Sequence, residues 1–175
     1  MYYCYGEKTR MPPSAVSVAT YDSRIGRIEI LGGEAGVSTL NFVDPGGAKP
    51  RRGSASSLPA PLAECLDQID EYFRSVRTAF TVKLDLRGTA FQKEVWAELL
   101  LVKFGQTTTY KALATAVGRP AATRAVGGAN HHNPVSIIVP CHRVVGSDGR
   151  LTGYGGGLWR KDWLLRHEGH DRLFV

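Results

Sequence analysis

No stretch of the chain stays apolar for the roughly 18 residues that a membrane-spanning helix needs. The N-terminus, MYYCYGEKTRMPP, lacks the apolar core of a signal peptide, so the expected location is cytoplasmic, at the nucleoid in a prokaryote. Cysteine is scarce: the 3 residues, Cys4, Cys65 and Cys141, are odd in number and far apart. That excludes a disulfide framework and points to a reducing compartment. Neither C-x-x-C nor H-E-x-x-H occurs, and Cys141 with His142 and His131 is poor ligand spacing, so no metal is expected. Internal repeats are absent too.

What is present reads as an ordinary globular chain. At 175 residues, 43% hydrophobic and 22% charged, it can fill a real core in one or two small domains. The net charge is +6 and the sequence pI about 9.4, which suits a polyanion such as DNA or RNA. Charge alone leaves the matter open, because many basic proteins bind nothing acidic.

The two halves differ in texture. AVSVAT, RIGRIEI and GVSTLNF, within 14–43, read as three strands, with Asp22, Ser23 and Gly26 near the first turn. DPGGAKPRRGSASSLPAP, 44–61, is a long Gly-, Pro- and Ser-rich loop. Leu62, Leu66, Ile69 and Phe73 fall at helical spacing over about 60–74. TAFTVKLDL, 78–86, alternates and reads as a strand or extended connector. From residue 88 the pattern turns helical. Thr89 and Gln92 have capping-box spacing, ahead of a stripe of Phe91, Val95, Leu99 and Val102. A second helix carries Tyr110, Leu113, Ala114 and Val117 and stops at Gly118. After the Arg119-Pro120 turn, Ala122, Ala125, Val126 and Ala129 form a third, narrow apolar face.

Two short helices joined by a tight turn have a helix-turn-helix shape. The exposed face of the second would carry Thr123, Arg124, Gly127, Asn130 and His131. Gly127 and Gly128 inside a helix cost about 1 kcal/mol each against alanine. Two returns are open: close approach to a bulky partner such as a DNA backbone, or a helix–helix contact that needs small residues.

VSIIV, 135–139, reads as a short buried strand ended by Pro140, which places Cys141 at a rigid strand terminus. A free cysteine is ordinarily a buried, inert side chain. The cationic neighbours His142 and Arg143 argue the other way, since they favour the nucleophilic thiolate. In a strand, however, adjacent side chains face opposite ways, so His142 would reach Cys141 only through a bend or a water. Ser147-Asp148-Gly149 is a tight turn. Gly153–Gly157 is a loop whose N–H groups can reach a ligand, with Tyr154 available for stacking or for packing. Leu158–His167 reads as a closing helix, with Glu168 a lone carboxylate before Gly169.

Pro140-Cys141-His142-Arg143-Val144, preceded by Asn133-Pro134 and followed by Gly153-Tyr154-x-Gly156-Gly157, resembles the O6-alkylguanine-DNA alkyltransferases. RGTAFQKEVW, TTYKALA, TRAVGGAN and RKDWLLRHEG extend the likeness from about Gly88 to Gly169. The resemblance implies a fold of two parts. Residues 1–85 would be an α/β domain, a small antiparallel sheet with a helix. Residues 86–175 would be a mainly α domain with a winged helix-turn-helix-like DNA-binding motif.

The resemblance also implies roles. Cys141 is similar to the acceptor of the alkyl group, His142 and Glu168 to the relay that deprotonates it, and Asn133 to a buried brace. Tyr110, Val144, Ser147, Tyr154 and Gly155 match substrate-binding positions. Arg124 matches the finger that fills the stack vacated by an extruded base, with Thr123, Gly127, Ala129, Asn130 and His131 along the groove. ANHHNP carries two histidines where relatives often have Gly or Arg. Zinc-binding relatives use Cys and His in the first domain, and residues 1–85 contain no histidine. The implied partner is double-stranded DNA containing O6-alkylguanine, with O4-alkylthymine and cooperative assembly on DNA left open. The implied protein is a monomer that acts once, without a cofactor. An alkyltransferase-like binder would lack the cysteine. A transcriptional regulator built on the helix pair is the alternative from another class.

Overall fold

The computed structural model describes residues 16–43 and 58–170. Cys4 and the expected loop over 44–57 lie outside them. The first three strands are β1 (Ser17–Ser23), β2 (Gly26–Gly33) and β3 (Gly36–Val43), an antiparallel meander in that order. Gly26, with φ 113°, makes the first turn. Alternation along β2 sends Ile28 and Ile30 to one face, where they pair across the sheet with Phe42 and Leu40. Helix α1 (Ala60–Phe73) covers that face with Leu62, Cys65, Ile69 and Tyr72. Leu62, Ile69 and Phe73 of the expected stripe are buried and Leu66 is half-buried against the core, with Cys65 and Tyr72 added to the seam. Each such large side chain contributes about 1.5–3 kcal/mol by leaving water. A Cβ at Gly32 would stand 2.8 Å from Leu62 Cδ1, so glycine is what lets the helix sit down on the sheet.

Residues 78–86 form the extended connector, touching β3 through Lys83 and Asp85, which bond both backbone groups of Val37 at 2.8 Å. Helix α2 (Ala90–Leu100) starts at the expected capping box: Gln92 N donates to Thr89 Oγ1 and Thr89 N to Gln92 Oε1. Val95 and Leu99 are buried as expected. Trp96, outside the expected stripe, is buried as well and donates from Nε1 to Ala129 O at 2.9 Å. Strand β4 (Thr108–Thr109) leads into α3 (Tyr110–Ala116), which ends before Gly118 at φ 70°. After the Arg119-Pro120 turn comes α4 (Thr123–His131), completing the helix pair.

The strand expected over 135–139 is not formed. Only Val135 bridges, to Leu40 of β3; the rest is a turn with Ile137 at φ 70°. The apolar content reflected burial, not extension: Val135, Ile137 and Val139 are all inaccessible. The turn closes because Val139 N donates to Val135 O at 3.0 Å, a bond that a strand would have sent to a neighbour. Cys141–Arg143 is one turn of 3₁₀-helix, followed by β5 (Val144–Val145), parallel to β4. Helix α5 (Leu158–His167) closes the fold, with Gly169 beyond it at φ 97°.

One hydrophobic cluster runs from Ala19 and Ile28 through Tyr72 and Trp96 to Cys141 and Leu164. The meander and the helices therefore share a core, and the cysteine turn lies inside it. Among the described residues, no helix is long and apolar enough to cross a membrane.

Candidate active site

Cys141 sits where the 3₁₀ turn meets a cavity of about 380 Å³. Only 6% of the residue is accessible, yet it helps line that cavity with Ser136, Asn133, Asn130, Tyr154 and Gly155. The turn disposes of the strand geometry: successive residues in a 3₁₀-helix are about a third of a turn apart, so His142 need not face away from Cys141.

Asn133 explains why the turn holds its shape. Its Nδ2 donates to Val139 O at 2.7 Å, and its Oδ1 accepts from Val135 N at 3.0 Å. One side chain thus brackets the five residues before Pro140. From the other side, Leu40 N donates to Pro134 O at 2.9 Å and Ser136 N to Leu40 O at 2.8 Å. The edge of the meander is thereby stitched to the cysteine loop.

His142 is fully buried, and its Nε2 lies 2.9 Å from Glu168 Oε1. Glu168 is far from a surface carboxylate. It also accepts from Tyr72 Oη at 2.8 Å, from Arg143 Nε at 2.7 Å and Nη2 at 2.9 Å, and more loosely from Gly105 N at 3.4 Å. Burial pushes its carboxyl up, but hydrogen bonds and charge from His142 and Arg143 outweigh that and hold it well below the usual range. An ionised carboxylate can only accept, so His142 must carry its proton on Nε2. That leaves Nδ1 bare, and it has no partner among the described residues. Burial also lowers the imidazole pKa, with Glu168 opposing, so the ring is neutral near pH 7. A neutral imidazole with a free Nδ1 is equipped to take a proton.

The thiol needs that help. Burial raises the Cys141 pKa, while the Asn133 side chain, the Lys161 charge and the backbone amides of Cys141 and His142 pull it back. Lys161 is inaccessible, donates from Nζ to the carbonyls of Val144 and Thr152, and is lowered by burial to about 8. Lys161 and Tyr72 escaped the sequence reading. Each looks like an ordinary member of an amphipathic helix until the chain folds.

The sequence profile of the 6-O-methylguanine DNA methyltransferase DNA-binding domain matches residues 90–170, and that of the family's ribonuclease-like domain matches residues 16–86. The chain belongs to the methylated-DNA–protein-cysteine methyltransferases. It is 43% identical to the enzyme of that name from Mycolicibacterium paratuberculosis, over 87% of this chain and 92% of the relative. The identity to the Mycobacterium bovis enzyme is 45%, over 85% and 90%. The crystal structure of Mycobacterium tuberculosis O6-methylguanine methyltransferase superposes with a TM-score of 0.77 at 41% identity, over 92% of this chain and 97% of that one. The Mycobacterium tuberculosis OGT structure in complex with DNA gives 0.74 at 44% identity, over 85% and 90%.

Within this methyltransferase fold, Cys141, His142, Glu168 and Asn133 come together as one buried group. Of the expected substrate-binding residues, Tyr154 and Gly155 line the cavity, whereas Tyr110, Val144 and Ser147 do not. Tyr110 starts α3, with its hydroxyl accepting from Thr152 Oγ1 at 3.1 Å. The Val144 carbonyl is engaged by Lys161. Ser147 is exposed on the turn closed by Gly149 N to Gly146 O, outside the cavity.

On α4, Arg124 and His131 are exposed and Thr123 is half-buried. The expected exposed face is corrected at Asn130, which is 5% accessible and turned into the cavity. Ala129 faces inward too, 4% accessible beneath Trp96, and so cannot touch a groove through its side chain. A Cβ built on Gly127 would meet the Tyr110 ring only at 3.8 Å, and one on Gly128 would meet nothing within 4 Å. Internal packing therefore does not require these glycines. Among the described residues, no group of 3 or more metal-ligating side chains converges.

Proposed function

We propose that the chain repairs alkylated DNA by moving the alkyl group from guanine O6 to Cys141 Sγ in a single displacement. The S–C bond forms as the C–O6 bond breaks. The thiol proton passes through a water to His142 Nδ1; the base keeps the electron pair of the C–O6 bond and recovers that proton through solvent, leaving as guanine. Glu168 holds the imidazole and stabilises it when charged. The observation that carries the reading is the buried Cys141–His142–Glu168 group opening on a cavity bordered by the end of α4.

The attacked carbon must reach a recessed sulfur, so the nucleotide is extruded from the duplex. Arg124 enters the vacated stack, while Thr123, Gly127 and His131 border the groove and Tyr110 meets the backbone at the lesion. Val144, Tyr154 and Gly155 position the base, with Asn130 at the rim. Residues 1–85 act as the bracing domain and residues 86–175 as the DNA-binding and acceptor domain. A thioether resists hydrolysis, so each monomer acts once, and the damaged base is itself the alkyl donor. The protein works in the cytoplasm, at the nucleoid in a prokaryote.

The test uses a duplex bearing radiolabelled O6-methylguanine. Label should move to protein with one-to-one stoichiometry and be lost in Cys141→Ala, which should still bind DNA. Absence of transfer by the wild type would overturn the reading and favour a binding protein or regulator.

A further inference from the structure

Arg160 lies outside the group just described, yet it holds one wall of the same cavity. From the first turn of α5 it reaches back to the meander. Its Nε donates to Ile25 O in the β1–β2 turn at 2.8 Å, and its Nη1 donates to Gly156 O in the glycine loop at 2.7 Å. The guanidinium lies over the Phe42 ring of β3, with Cζ 4.8 Å from the centroid, and over the Trp159 ring at 4.6 Å. One planar cation thus joins the glycine loop just before it to Ile25, 135 positions away, and to Phe42.

The fit is close on every side. A Cβ on Gly26 would come within 3.0 Å of Arg160 Nη2. A Cβ on Gly156 would come within 3.0 Å of Phe42 Cδ2 and 2.9 Å of Tyr154 Cε1. The glycine loop is anchored at Tyr154, whose ring packs against the core, and at Thr152, whose carbonyl accepts from Lys161 Nζ at 2.7 Å, while Arg160 ties the following Gly156 carbonyl to the meander. Asn41 and Phe42 line the cavity together with Cys141 and the loop. Asn41 Oδ1 also accepts from Ser136 Oγ at 3.0 Å, on the loop that precedes the cysteine. Exposed Trp159 gains a purpose here, as the outer layer that shields the guanidinium from water.

We propose that Arg160 is a positioning residue that makes the N-terminal meander one wall of the alkyl pocket. By fixing the distance between Phe42 and the glycine loop, it limits the size of the alkyl group that can lie between Sγ and O6. This rests on the alkyl-transfer reading above. Without the latch, the glycine loop relaxes away from Phe42, the pocket widens, and small adducts are held less well for in-line attack.

Single-turnover transfer from duplexes bearing O6-methylguanine or O6-benzylguanine tests the idea in the full chain. In Arg160→Met, methyl transfer should slow and the benzyl-to-methyl rate ratio should rise by about tenfold, the effect expected of a sub-ångström misplacement. Arg160→Lys keeps the charge without the fork and should fall between the two. Phe42→Leu, a milder change at the wall itself, should raise the same ratio. A ratio within about twofold of wild type in both Arg160→Met and Phe42→Leu would overturn the proposal, as would equal loss of both rates. A wild type that transfers neither group would instead remove the underlying function.

Discussion

Tyr72 and Glu168 stand 96 positions apart in the chain, yet the Tyr72 hydroxyl donates to Glu168 Oε1 at 2.8 Å in the buried centre of the molecule. The helix that covers the meander therefore supplies a ligand to the carboxylate that orients His142. The N-terminal half is joined to the chemistry through Tyr72, through the Leu40 edge of β3 and through Arg160.

Replacing the two partners separates support from function. Tyr72→Phe removes one of several donors to Glu168 and should destabilise by about 1 kcal/mol, with transfer slowed less than tenfold. Glu168→Gln removes the charge on which Arg143 and His142 depend, and should destabilise by about 3–5 kcal/mol. It also frees the imidazole to take the wrong tautomer, so transfer should fall about 100-fold or more. Urea melts and transfer of labelled methyl check both, and a Glu168→Gln protein that transfers at full rate refutes the relay.

Acid should weaken the fold in two stages. Burial depresses the folded-state pKa of His142 below its ordinary 6.5, so on acidification the unfolded chain binds this proton first. Stability then falls with pH from about 6.5 downward until the buried ring itself protonates. Glu168 is likewise depressed below its ordinary 4.5, so the stability it contributes is complete above that pH and is lost beneath it. Urea unfolding between pH 8 and 4 should show the upper stage, and His142→Gln should flatten it. An unchanged slope in that variant counts against a buried neutral imidazole.

Asn133→Ala leaves Val139 O and Val135 N without their partners in a sealed turn. The expected loss is about 2–4 kcal/mol from two buried groups left unsatisfied. Transfer should fall more than stability predicts, because the turn aims Cys141. Comparing rates at a temperature where the variant is fully folded settles this; a folded variant with wild-type rate would show that Asn133 braces the core alone.

Gly128→Ala should stabilise the protein and weaken it at its task. The position is helical and open, so alanine contributes about 0.5–1 kcal/mol of helix propensity. If a DNA backbone approaches there, the added methyl should reduce duplex affinity severalfold. Thermal melting and titration with undamaged duplex report the two effects separately. A stabilised variant with unchanged affinity places the groove elsewhere.

Much of this was legible in the residues themselves. The meander showed in its alternation, α1 and α2 in their spacing and capping box, and the helix pair in its Gly118 stop. The neighbours His142 and Arg143 pointed to a nucleophilic thiol at Cys141, and the PCHRV stretch with Asn133 and the glycine loop carried the family resemblance. VSIIV has the composition of a buried strand and is a buried turn, because hydrophobicity reports burial and not the direction of backbone hydrogen bonds. Asn130 has helical spacing appropriate to solvent but faces a cavity that the cysteine loop, the glycine loop and the edge of the meander enclose together.

The sequence by itself determined the local elements and the chemistry on offer, since both depend on neighbours a few positions away. Only the tertiary structure decided which groups are deprived of water, and so which protonation states they take. Glu168 becomes an obligatory acceptor and His142 a neutral base because Tyr72 from α1 and His142 and Arg143 from the 3₁₀ turn converge on Glu168 at the end of α5, three segments that lie well apart along the chain. That convergence leaves no trace in any short stretch, because a lysine or tyrosine on a helix looks the same from the sequence whether its far end meets solvent or a buried carbonyl.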